Sequence, residues 1–183
     1  VIYKALNYGN SAGNYNVKNL NTSLERLKSA GSIFFLLPGP KMIWQFGEVG
    51  YDISIDYNGR LGRKPLKWYY LNELNRKNIY NTWSYLISLR KKHSIFSDPQ
   101  SKIDTWLNSS IKKIQYSLGE ENAILITNFD VKTLQTSVSL PSAGHWYHAT
   151  LGEKIYIEDN ELDISIPAGT FLLMTDFEID YLP

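Results

Sequence analysis

Two hydrophobic periods divide this chain. In "NLNTSLERLKSAG", Leu20, Leu24 and Leu27 fall at i, i+4 and i+7, one face of an α-helix, and the asparagines at its start suit an N-cap. "SIFFLL", residues 32–37, fits either a buried strand or the apolar last turns of the same helix. Pro38-Gly39-Pro40 ends either one. "KMIWQF", residues 41–46, is short and apolar on both faces, the pattern of a buried parallel strand. Glu48 follows, then a polar loop with Gly50, Gly59, Gly62 and Pro65. "LNELNRKNIYNTWSYLISLRKKH" predicts a second helix, with Leu71, Leu74, Tyr80, Trp83, Ile87 and Arg90 near helical spacing. Its basic last turn, Arg90-Lys91-Lys92, suits the negative end of a helix dipole and reads as a solvated end.

From about Trp106 the period becomes two. "IKKIQYSL", "AILITNF", "LQTSVSL", "HWYHATL", "ELDISI" and "TFLLMT" are short runs separated by turn residues such as Gly119, Gly152 and Pro167-Ala168-Gly169. Such spacing predicts an antiparallel sandwich or barrel. The expected division is residues 1–97 and residues 98–183, an α+β chain overall.

Charge follows the same division. Residues 1–97 hold 14 Lys+Arg and 5 Asp+Glu, and residues 98–183 hold 5 and 13. The basic half raises the question of nucleic acid, but its charges are dispersed apart from a helix end and the 60–67 loop, so no nucleic-acid partner is expected. There is no Cys, which excludes disulfides and thiolate–metal sites and leaves the compartment open. No apolar run approaches the roughly 20 residues that span a membrane as a helix. The first residues lack the basic flank and apolar core of a signal peptide, and a start without Met reads as a cut inside a longer protein.

The order helix, Pro38-Gly39-Pro40, short apolar run, Gly47-Glu48 resembles the end of the catalytic (β/α)₈ barrel of the α-amylase family of glycoside hydrolases. That family ends its barrel with "PG-x-P", a short strand and "G-x-E". Here Trp44 takes the place of the family's tyrosine, and glycine stands directly before the Glu. Arg63-Lys64-Pro65-Leu66-Lys67-Trp68 is similar to the family's R-x-P-x-x-W, with Tyr69 where an acidic or amide residue is usual. The helix carrying Arg76 and Tyr80 resembles the last barrel helix, and "DISIPAGTFLLMT" the closing strands of the C-terminal β-sandwich. The resemblance implies that residues 1–97 are barrel helix 7, strand 8 and helix 8, and that residues 98–183 are the sandwich. "SIFFLL" then becomes the end of a helix and "KMIWQ" the eighth strand.

The resemblance also implies a retaining parent enzyme acting on α-linked glucans. The family's nucleophile, acid/base and third Asp lie on or just after strands 4, 5 and 7, so no catalytic residue is expected here, and this chain alone is expected to be inactive. Glu48, Asp52 and Asp56 do not replace them, because one strand cannot supply two opposed carboxylates at about 5 Å. Candidate substrate contacts at the barrel mouth are Glu48, Arg63 and Trp44. Against them stand a structural role for Glu48, bonding backbone or a buried arginine, a loop-anchoring role for Arg63, and a core role for Trp44 and Trp68. His145 and His148 point to opposite faces of a strand, so no metal site is expected; calcium, if any, belongs to upstream parts of the parent.

Expected partners are an α-glucan or maltooligosaccharide, bound through the parent, and the missing N-terminal part of the barrel, with no membrane. Secretion or the cell envelope is favoured over the cytoplasm. The alternative is a stand-alone carbohydrate-binding β-sandwich, with Tyr147 and Tyr156 as its aromatic candidates. Without the rest of a barrel, the faces of Leu20, Leu24, Leu27, residues 34–37 and residues 42–44 would lose their partners. They would then pack as helices on the sandwich or drive self-association.

Overall fold

The computed structural model describes residues 1–182. Pro183, the last residue of the expected second part, lies outside the described residues. The N-terminal half holds three helices: α1 (Ile2–Tyr8), α2 (Leu20–Leu36) and α3 (Leu74–Lys92). A two-residue hairpin, β1 (Ser11–Ala12) and β2 (Tyr15–Asn16), joins the first two. Asn19 caps α2 by accepting the amides of Asn21 (2.9 Å) and Thr22 (3.4 Å). The apolar "SIFFL" completes α2, so the helical alternative holds, and Leu24, Leu27, Phe35 and Leu36 are buried.

The buried face of α3 differs from the expected one. Arg76, Ile79, Trp83, Leu86 and Leu89 point inward, whereas Leu74 and Tyr80 are exposed. Buried contact with α2 sets this face; Trp83 belongs to it as expected, while Ile79, Leu86 and Leu89 stand one position before the expected Tyr80, Ile87 and Arg90.

The C-terminal half forms two antiparallel sheets. Six strands, β3 (Lys102–Trp106), β4 (Ile111–Leu118), β5 (Glu121–Asn128), β7 (Gly144–His148), β8 (Glu153–Ile157) and β10 (Phe171–Thr175), lie in the order β3-β4-β5-β10-β7-β8. β6 (Leu134–Ser139) pairs with β9 (Glu161–Ile166) in a separate sheet. Ile124, Ile126, Leu172, Met174 and Trp146 of the larger sheet pack with Val138 and Ile166 of the smaller. On its other face, Ile114, Tyr116, Ala123, Leu125 and Leu173 share a core with α2 and α3. β5 and β10 are thus covered on both sides, which explains why "AILIT" and "FLLMT" read as continuous apolar runs.

One element departs from expectation. "KMIWQ" is not a strand: residues 40–44 have no regular structure, and Met42 is 83% exposed. A parallel strand is held by hydrogen bonds from neighbours on its edges, and none of the described strands lies beside this segment. The faces of Leu24, Leu27, Phe35 and Leu36 have found partners in α3 and the larger sheet, while Phe34, Met42 and Ile43 remain exposed.

Candidate functional site

After Trp44 the backbone turns sharply. Phe46 adopts a left-handed conformation (φ 56°), and Gly47–Val49 form one turn of 3-10 helix that carries Glu48. Gly50 closes the turn at φ 71°, and a Cβ there would overlap the Leu24 side chain, so only glycine fits. Val49, fully buried, pins this turn to Phe46, Tyr51 and Tyr70.

The turn is held by Arg76, which is 2% exposed. Its Nη1 donates to the carbonyls of Val49 (3.1 Å) and Gly50 (2.6 Å). Its Nη2 donates to Asp52 Oδ2 (2.9 Å) and its Nε to Glu73 Oε2 (2.7 Å). The guanidinium lies over the Tyr70 ring, 3.6 Å from the centroid, and the Tyr70 hydroxyl donates to Asp52 Oδ1. Burial, then the hydrogen bond to Asp52, pushes the Tyr70 phenol well above its usual range. A buried charge needs such saturation of its donors.

The loop from Tyr51 to Trp68 is organised by a second cation. Lys64 Nζ donates to the carbonyls of Tyr57 (2.7 Å), Gly59 (2.6 Å) and Gly62 (2.9 Å). The Tyr51 hydroxyl fixes the far end through the Pro65 carbonyl at 2.6 Å.

Glu48 is half-buried and Arg63 exposed, and neither makes a side-chain hydrogen bond or ion pair among the described residues. The buried-arginine role weighed for Glu48 falls instead to Asp52 and Glu73, and the loop-anchoring role weighed for Arg63 falls to Lys64. Trp44 and Trp68 are not core: they are 48% and 67% exposed. Trp44 meets Tyr51 edge-on and Trp68 meets Phe46, so each ring is steadied on one side and open on the other. Beside Trp44 opens a largely apolar cavity of about 560 Å³, walled by Ile2, Phe34, Ile43, Ile55 and Trp83.

Asp52, Lys64 and Tyr70 were missed as organisers. The available signals were an acid in a polar loop and Glu73-x-x-Arg76 at the start of a helix; neither says that the two sites meet. Arg90 is not merely a solvated helix end: its Nη1 donates to the carbonyls of Phe35 (2.8 Å) and Leu37 (2.5 Å) and ties α3 to the end of α2. His148 is buried, its Nδ1 accepting the Leu151 amide at 3.1 Å, while His145 is exposed against Tyr156. Among the described residues no three His, Asp or Glu side chains gather as metal ligands, and no helix is long and apolar enough to cross a membrane.

No family model matches the sequence, and no curated protein does. Solved structures do match in fold. The chain is similar to the α-amylase from Geobacillus thermoleovorans complexed with acarbose (TM-score 0.63, 13% identity, 83% of this chain and 33% of that one). It is similar to AmyP in complex with maltose (0.64, 16%, 84% and 35%) and to the pullulanase from Bacillus acidopullulyticus (0.62, 16%, 96% and 22%). The chain therefore has the fold of part of an α-amylase-family enzyme and spans about a third or less of the length of the structures it matches.

Proposed function

We propose that this chain is the C-terminal part of an α-amylase-like glycoside hydrolase acting on α-linked glucans, in which residues 1–97 form one wall of the active-site mouth. The observation that carries this reading is the 44–68 loop. It is fixed from below by Arg76 and Lys64, yet it leaves Trp44, Glu48, Arg63 and Trp68 without polar partners at its surface. Exposed aromatic faces on the same loop as an unpaired carboxylate and an unpaired guanidinium suit a sugar, whose rings stack on aromatics and whose hydroxyls take directed hydrogen bonds. The apolar cavity beside Trp44 suits the remainder of a barrel packing there. In this reading the catalytic carboxylates and any calcium lie outside this chain, the sheets serve as an accessory domain, and the parent works in the envelope or outside the cell.

Two measurements test it. The purified chain should show no turnover of maltooligosaccharides above a blank; turnover insensitive to Glu48→Gln would sink the proposal. In the full-length parent, Arg63→Ala should lower kcat/KM by about 1–3 kcal/mol of lost charge-assisted hydrogen bonding, with an unchanged melting temperature. A variant with normal kinetics and a lowered melting temperature would remove Arg63 from the site.

A further inference from the structure

The loop between Tyr51 and Trp68 holds the one Asn-Gly pair of the sequence, Asn58-Gly59. Both residues are exposed, and both have left-handed backbones (φ 54° and 75°). The Asn58 side-chain amide makes no hydrogen bond among the described residues. An asparagine before a glycine sets an electrophile beside a nucleophile. Its Cγ and the next backbone nitrogen close a five-membered ring when they bond, and glycine has no Cβ to obstruct the closure. Every other asparagine in the chain precedes a residue that carries a side chain.

The reaction needs only water and a base. The Gly59 nitrogen gives up its proton and bonds to Asn58 Cγ. The Cγ–Nδ2 bond breaks, and ammonia leaves after taking up a proton. Water then opens the succinimide at either of its carbonyls, leaving aspartate or isoaspartate at position 58. No atom is oxidised or reduced.

The fold opposes ring closure at three points. The Gly59 amide donates to the Asp56 carbonyl at 3.0 Å, and an imide nitrogen has no hydrogen left to donate. Lys64 Nζ donates to the carbonyls on either side of Asn58, those of Tyr57 (2.7 Å) and Gly59 (2.6 Å), so one ammonium fixes both peptide units that flank the reacting pair. The Asn58 carbonyl itself lies against Gly62, where an added Cβ would stand 1.7 Å from its oxygen.

We infer that Asn58-Gly59 is a site of spontaneous modification, converted through a succinimide to aspartate or isoaspartate, and that Lys64 is the brace that sets its rate. The product places a negative charge between Asp56 and Arg60. Isoaspartate also lengthens the main chain by one carbon between the two carbonyls that Lys64 holds, so the modified loop loses its present brace. This chemistry is independent of any substrate.

The test ages the full chain in mildly alkaline buffer and follows each asparagine by peptide mapping with mass spectrometry. Exchange of –NH2 for –OH marks conversion. Asn58 should convert before Asn10, Asn108 and Asn160, which are also exposed; Asn160 shares the left-handed backbone but precedes Glu161. Native Lys64→Ala should convert at Asn58 roughly tenfold faster than the unsubstituted chain, the effect of removing a charge-assisted bond from a local opening equilibrium. In concentrated urea the two chains should convert at the same rate, above that of the native unsubstituted chain. Conversion at the other asparagines with Asn58 intact would overturn the site. A native Lys64→Ala rate equal to or below that of the unsubstituted chain, or a difference between the two that persists in urea, would overturn the brace.

Discussion

At the scale of single residues, Arg76 is where most of the site's order resides. Replacing it with Ala would leave Asp52 and Glu73 facing each other and two carbonyls without donors. The expected loss is about 3 kcal/mol, the lower end for breaking a buried pair, because Asp52 keeps some access to water. Arg76→Lys should recover part of that loss, since a single ammonium cannot reproduce the guanidinium fork; urea denaturation of both variants measures the difference. His148 gives a pH dependence. Burial holds its imidazole below the ordinary value of 6.5. A group with a depressed folded pKa of this cationic kind is neutral in both states at high pH. As pH falls through about 6.5, the unfolded chain takes up the proton first, and stability declines until the folded pKa is passed. His93 is shifted the same way by burial, so it adds to the slope. The melting temperature should therefore fall between pH 7 and pH 5, and His148→Gln should flatten the fall; an unchanged slope would refute the assignment.

At the scale of elements, the crossing of α2 and α3 depends on one missing Cβ. Gly31 faces the Trp83 indole, whose Nε1 donates to the Leu27 carbonyl at 3.3 Å. A methyl group at Gly31 would overlap that ring, so Gly31→Ala should cost about 1–3 kcal/mol through forced repacking, although alanine favours helices elsewhere. A melting temperature at or above that of the parent chain would show that the crossing yields without cost. Across the other contact of α2, Arg26 donates to the carbonyls of Phe129 (2.8 Å) and Asp130 (2.9 Å), and Ser29 donates to Gly169 (2.7 Å). The helix is thus fastened to the ends of β5 and β10 by side chains that carry no periodic signal.

At the scale of the whole molecule, one core joins both halves. Leu24, Leu36, Leu86 and Leu89 pack in the same cluster as Ile114, Tyr116, Leu125 and Leu173. Amides of α2 and α3 should therefore exchange as slowly as those of residues 123–126, with residues 40–45 fast, in a native-state hydrogen-exchange experiment. Fast exchange throughout α2 beside a protected sheet would show that the two halves unfold separately. Deleting residues 1–97 would uncover the helix-side face of the larger sheet, and such a truncation should bind hydrophobic dyes and aggregate.

Local pattern determined much of this. The Asn19 cap, the i, i+4, i+7 leucines of α2 and the alternation in "LQTSVS" and "ELDISI" locate their elements because each signal is written in neighbouring residues. α1, β3 and β8 escaped because each buries at most one residue and carries no clear apolar period of its own, so its place is set by the surface it meets. Tertiary structure alone decided that "KMIWQ" has no sheet to join, that Trp44 and Trp68 face outward, and that Asp52 meets Arg76 24 positions away. A strand needs neighbours and a buried arginine needs partners, and neither requirement names which distant segment will meet it.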